Sequence, residues 1–421
     1  MLSDKAKDQL TTVSEALYHA SQKVRILSSI TWAPEVRQTF LKHGGRKLPE
    51  VEYTAFDATE ILGSIDDACR KLGDSEIERW LKHQAGDIAT SARMLAAIGT
   101  ADFFRYSCDL YGAPKDVLPD GTTTSLALAQ QFDRTIATLA NVDLGGSKNA
   151  VVNAETVAAY IEKAARKMFG SEAPRVEVVE ELSANALAGP ERIRVRRGAV
   201  FSDKDAEQLI QHEAFVHVAT SINGIGQKHL RVLGVPHPGT IKTQEGLAVF
   251  AELITGTMDL ERLRRLADRA IAIQMAIDGA DFIQVYQYFL ERTDNPEQAF
   301  ENARRVFRGG VLTGRAPFTK DTVYLDGLLR VHNFLRVIVS TGRAACLKLL
   351  FCGKLDIEDI PILYELSQEA MCLPARYLPP WISDMRFLMS YLAYSSFLNG
   401  VDLNRLKNHY DAMLANVPRN E

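Results

Sequence analysis

His212-Glu-Ala-Phe-Val-His217 places two imidazoles and a carboxylate within one short stretch. Two neutral histidines with a glutamate beside the first make up the side-chain inventory of a hydrolytic zinc site. The spacing departs from the common one. Histidines four residues apart project within about 40° of each other on a helix, whereas five residues apart they diverge by about 140°. With Leu209 as reference direction, Glu213 falls at about +40°, His212 at about −60° and His217 at about +80°. The carboxylate therefore lies between the two rings, on the side of Ala206 and Leu209. A π-bulge, with its i→i+5 bond, would bring positions 212 and 217 onto one face, and such bulges concentrate at functional sites. The spacing predicts a bulge or a break between Glu213 and Val218. The plainer alternative is two ordinary helical histidines, one packed and one solvated.

A hydrolytic zinc needs three protein ligands and an open fourth position. Thr243-Gln-Glu-Gly-Leu-Ala-Val-Phe250 supplies the third, Glu245, in the first turn of a helix expected to begin near Thr243. The residues that follow, Leu247 to Ile254, are apolar nearly all round, so that helix is expected to be buried and its carboxylate to need a partner. Gly246 costs about 1 kcal/mol inside a helix, which suits a close approach by the metal or another backbone. Alternatively, Glu245 only complements the positive end of its own helix. His229 and the proline-flanked His237 are rival ligands, with His237 expected in a surface loop.

Further out, Ser202 with Asp205 three positions on resembles a capping box, starting the helix that carries His212. Arg175 to Glu180 and Arg192 to Arg196 alternate with period two and predict short strands, with Val176, Val178, Ile193 and Val195 facing one way. Ala184 to Pro190 reads as an edge strand or a loop. Residues 4–112 and the chain beyond Asp259 carry helical periodicity, broken at Gly309-Gly310, Pro317, Pro361 and Pro379-Pro380. Asp116–Thr124 and Asn141–Asn149 read as loops. The organisation expected is a helical N-terminal region (1–150), an α/β core (151–260) and a helical C-terminal region (261–421), an α+β chain that is mostly helical.

The 421 residues are 46% hydrophobic and 24% charged, as in ordinary globular proteins. Forty-nine basic and fifty-three acidic side chains leave a net charge of −4, which speaks against nucleic acid or an anionic membrane as partner. Five cysteines without a CxxC pair read as reduced thiols, and the charged start has no apolar stretch like that of a secretory signal. A cytoplasmic location is expected.

The two core motifs together resemble the HExxxH metallopeptidases that include the microtubule-associated tyrosine carboxypeptidases of animals and a bacterial group named for its QEGLA motif and described as modulating flavohaemoglobin expression. The likeness extends into Arg192-Ile-Arg-Val-Arg196 and Ala199-Val-Phe-Ser-Asp203, and into Ala316-Pro-Phe-Thr-Lys-Asp-Thr-Val-Tyr-Leu-Asp-Gly327. It covers residues 171–335 clearly and the helical flanks more loosely, and the flanks match the bacterial group better. The resemblance implies a zincin-like core with a small β-sheet and two active-site helices. It also implies zinc on His212, His217 and Glu245, with Glu213 as catalytic base. The animal members remove the C-terminal tyrosine of α-tubulin.

On this chemistry Glu213 takes a proton from the attacking water and returns it to the leaving amine. Tyr324 is the expected oxyanion donor, with His332 in reserve. A carboxypeptidase must also hold a free carboxylate, for which Lys320, Arg315 and Arg194 are the candidates. Arg192, Arg194 and Arg196 share a strand face that suits an acidic tail; the alternative is the solvated, charge-protected face of an edge strand. The basic run Arg262-Leu-Arg-Arg265 reads as a solvated helix face. The leading function is a zinc-dependent carboxypeptidase acting on a peptide or protein tail. The rivals are a regulatory protein that keeps the fold and binds a partner, and a zinc hydrolase of non-peptide substrates. Retention of Glu213, which is no ligand and is costly to bury without a role, favours catalysis. The oligomeric state is left open.

Overall fold

Helical periodicity in the first third of the chain is realised as a series of helices, principally Asp4–Lys23, Pro34–Lys42, Thr59–Cys69, Glu76–Ala96 and Ala101–Tyr111. The computed structural model describes residues 2–139, 142, 152–180, 182 and 184–414, so the expected loop at 141–149 lies outside the described residues apart from Val142. Helices dominate and the only sheet among the described residues has three strands, so the chain is α+β and mostly helical. No described helix is long and apolar enough to cross a membrane.

The strands are β1 (Arg175–Val179), β2 (Ala186–Ala188) and β3 (Arg192–Arg196), in the order β1-β3-β2. β1 runs parallel to β3 with Val176 opposite Ile193 and Val178 opposite Val195, so the four apolar side chains share a face, as the alternation predicts. That face packs on the helix Ala154–Phe169, with Ile193 and Val195 fully buried. The edge-strand alternative for Arg192–Arg196 does not hold. β3 is the central strand because the Ala184–Pro190 segment folds back as β2, antiparallel, with Ala186 opposite Val195 and Ala188 opposite Ile193. The edge nearest the functional motif is therefore β2.

The capping box forms as read: Ser202 Oγ accepts from Asp205 N–H at 3.0 Å, and Asp205 Oδ2 accepts from Ser202 N–H at 2.9 Å. It starts the helix Asp203–Leu209, which passes into a π-helix over Ile210–Val218 and returns to an α-helix over Ala219–Ile225. The expected bulge is thus a nine-residue π segment. At its exit Ala219 N–H donates to the Ala214 carbonyl, five residues back. Its carbonyls find side-chain donors. Thr220 Oγ1 reaches Val216 at 2.8 Å, while Ser221 Oγ at 2.8 Å and Lys354 Nζ at 2.9 Å reach His217.

The second motif helix runs Pro238–Ile254, not from Thr243. Proline at its first position has a preset φ and no N–H to leave unpaired, so the Pro-His-Pro-Gly segment starts the helix instead of forming a loop. Glu245 consequently sits two turns inside, beyond the reach of the helix N-terminal field. The helix lies against Val323–Ser340, where the two cross at glycines: a Cβ on Gly246 would stand 2.3 Å from the Gly327 carbonyl oxygen. A single apolar cluster draws on Leu17 and Trp80, on Val216 and Phe250, and on Leu335 and Phe351, so the three sequence stretches share one core. The N-terminal helices pack behind the Glu245 helix, and among the cleft residues they contribute Leu27.

Candidate metal centre

The π segment does to the histidines what an α-helix would not. In i→i+5 register, residues five apart fall on one face. The rings of His212 and His217 lie 4.8 Å apart at 82°. Both Nε2 atoms are 3.4 Å from Glu245 Oε2, brought in by the neighbouring helix. His212, His217 and Glu245 offer ligand atoms that all lie within 4.8 Å of one another.

Three features fit this set to a metal cation. Zinc bonds of about 2.0–2.1 Å in a tetrahedron hold their ligand atoms about 3.4 Å apart, close to the observed separations from Glu245. Glu245 Oε2 is buried and has no hydrogen-bond partner. The carboxylates beside His212 also favour a positive charge at that ring. Burial would lower the His212 pKa, yet the carboxylates of Glu245 and Glu252 outweigh it and hold the imidazole up to about 10. His217, half-buried, is pulled below its ordinary value by the loss of water around it. Glu245 resists burial through the Lys320 charge and both histidines, which keep it well below the usual carboxylate range. A proton or a metal cation on this cluster neutralises the same charge.

Glu213 stands at 7% exposure on the cleft wall, where its Oε2 accepts from the Ala188 N–H of β2 at 3.0 Å. Lys320 is buried with Nζ 3.4 Å from Glu245 Oε1 and 5.3 Å from the centre of the Tyr324 ring. Tyr324 lines the same cleft. The structure therefore brings together His212, His217, Glu245, Glu213, Lys320 and Tyr324.

Other expected positions fall elsewhere. Arg315 is exposed, with a left-handed backbone at φ 71°, and does not line the cleft. Arg194 is half-buried outside the lining, whereas its neighbour Arg196 takes part in it. His332 is packed between Phe250 and Tyr391. His229 bonds Thr11 through Nδ1 at 3.0 Å. His237, expected at the surface, is buried at 3% exposure because Pro238 carries it into the start of a buried helix.

The residues not anticipated surround the ligands. Glu252 Oε1 accepts from His212 Nδ1 at 2.6 Å, and Glu252 in turn receives Gln208 Nε2 at 2.7 Å and both Arg262 Nε and Nη2 at 2.8 Å. Arg262 was read as part of a solvated face; its side chain is only 11% exposed because the fully buried Glu252 requires a cation. A signal was present in the sequence, since Glu252 lies seven residues after Glu245, two turns along the same helix face. Lys354, on the far side, donates to the His217 carbonyl, Thr220 Oγ1 and Gln244 Oε1, and burial pulls its amine down to about 7. No motif marks it.

The cleft that joins these groups measures about 920 Å³, and cationic side chains outnumber carboxylates along its walls. Compared with known proteins, residues 38–400 match the family model described as microtubule-associated tyrosine carboxypeptidase. No curated protein matches the chain.

Proposed function

The chain belongs to the microtubule-associated tyrosine carboxypeptidase family, and from that premise we propose that it is a zinc-dependent carboxypeptidase that removes the last residue from an acidic peptide or protein tail. The observation that carries this is the convergence of His212, His217 and Glu245, with Glu245 Oε2 buried without a hydrogen bond, beside a cleft-facing Glu213.

Zinc held by His212, His217 and Glu245 would polarise the scissile carbonyl and bring the pKa of a water towards about 7. Everything else is supplied by the chain. Glu252 fixes the His212 ring so that Nε2 is turned to Glu245. Glu213 Oε2 is anchored to β2, leaving Oε1 to take the proton of the attacking water and pass it to the departing amine. The Tyr324 hydroxyl and the Lys320 ammonium supply hydrogen bonds and positive charge to the developing oxyanion. The excess of cations along the cleft favours an acidic tail. With five free cysteines, the chain suits the reducing cytoplasm.

The test is incubation of the zinc-loaded protein with an acidic peptide that ends in tyrosine, with free tyrosine read by mass spectrometry. Release of that one residue, reduced about 10²–10⁴-fold in Glu213→Gln, is expected. Internal cleavage, or release unaffected by Glu213→Gln, would contradict the proposal.

A further inference from the structure

Beyond Tyr324 the cleft wall carries more positive charge than the protein itself neutralises. Arg269, Arg305, Arg308 and Lys320 all line it. Arg305 is paired, donating to Asp321 Oδ2 at 2.6 Å and Oδ1 at 2.9 Å, and Lys320 faces Glu245. The other two guanidinium groups are not satisfied in this way. Arg269 approaches Asp321 no closer than 3.8 Å and otherwise lies over the Tyr324 ring at 5.1 Å. Arg308, 4% exposed, makes no side-chain hydrogen bond or ion pair among the described residues; its Nε is buried without a partner and its guanidinium lies 5.8 Å over the Phe318 ring.

A buried guanidinium without an anion of its own is costly: Arg308 has none, and Arg269 shares Asp321 with Arg305. Burial, followed by repulsion from Arg305, pulls both Arg269 and Arg308 down to about 10. Position gives the surplus a purpose. Lys320 and Arg269 contact the same Tyr324 ring, so Arg269 stands one aromatic side chain away from the lysine that faces Glu245, and Arg308 lines the same cleft. A peptide with its scissile carbonyl at the metal ligands would extend its last residue to about this depth.

We infer that Arg269 and Arg308 bind a carboxylate of the peptide substrate, either the terminal one or that of an acidic side chain, and so fix where the chain is cut. The inference rests on the carboxypeptidase proposal for the identity of the ligand. A planar, bidentate donor is the natural partner of a carboxylate, and this site offers two with free hydrogen-bonding edges.

The test uses the full-length zinc-loaded protein carrying Glu213→Gln, with fluorescence anisotropy of three labelled peptides. These are Gly-Glu-Gly-Glu-Gly-Tyr with a free terminus, its C-terminal amide, and the free-terminus peptide with glutamine for glutamate. At least tenfold weaker binding of the amide would assign the site to the terminal carboxylate. The same loss in the glutamine peptide would assign it to acidic side chains. In either case adding Arg308→Met or Arg269→Gln should abolish the discrimination. Arg269 is 19% exposed, so its variant serves should the buried Arg308→Met fail to fold. Equal binding of all three peptides, or discrimination that survives both variants, would overturn the inference. Cleavage of the first peptide by the wild type is read separately. Cleavage without discrimination removes the arginine site alone, and discrimination without cleavage removes the peptidase reading alone.

Discussion

His212 donates from Nδ1 to Glu252 Oε1 at 2.6 Å, which leaves Nε2 as the atom turned towards Glu245 and His217. A carboxylate behind a ligating imidazole fixes the tautomer and the ring orientation and makes the ligand more basic. Arg262 keeps Glu252 ionised: against the effect of burial, the guanidinium and the His212 bond hold its pKa at about 2. Glu252→Gln should therefore lower zinc affinity about 10–100-fold, measured by chelator competition on folded protein. An unchanged affinity would remove Glu252 from the site.

The crossing of the two glycines makes an opposite pair of predictions. Gly246→Ala puts a methyl 2.3 Å from the Gly327 carbonyl oxygen, backbone that has little room to move. Overpacking of this kind costs about 1–3 kcal/mol or more. Gly86→Ala, inside the helix Glu76–Ala96 with nothing within 4 Å, should instead stabilise by up to about 1 kcal/mol. Chemical denaturation of both variants reads the two signs.

Acid should weaken the fold through His237. Its ring nitrogens are buried and unpartnered, and burial, with the nearby His83 charge, lowers its pKa to about 4. Between that value and the unfolded value near 6.5 the unfolded chain binds the extra proton, so stability falls as pH falls through this window. Moving from pH 7 to pH 5 costs about 2 kcal/mol from this residue. His237→Gln should shift the whole curve but reduce the loss between those two pH values by about that amount. A parallel loss in wild type and variant would contradict the assignment.

Much of the centre was legible because its information is local. A five-residue histidine spacing is incompatible with an α-helix holding one metal, and the π segment at Ile210–Val218 is the resolution that spacing demands. Gly246 reported a close backbone in the same local way. The arginines were not legible. Arg262 and Arg269 sit on a helix whose periodicity looks solvated and Arg308 directly follows another, and only tertiary packing turns them onto Glu252 or into the cleft. Arg315 and Arg194 were attractive by proximity in sequence to the motifs, yet Arg315 lies at an exposed left-handed turn, and along the strand face that Arg194 shares with Arg196 only Arg196 reaches the lining. The centrality of β3 depended on the Ala184–Pro190 segment pairing back, which three short residues of strand do not announce.

The central claim is that His212, His217 and Glu245 hold one catalytic zinc, and elemental analysis of the purified protein beside three variants tests it most directly. About one zinc per chain is expected in the wild type, lost in His212→Ala and Glu245→Ala and kept in Glu213→Gln, which is a base and not a ligand. A wild type free of metal under non-chelating conditions, or zinc retained when His212 or Glu245 is removed, would contradict it.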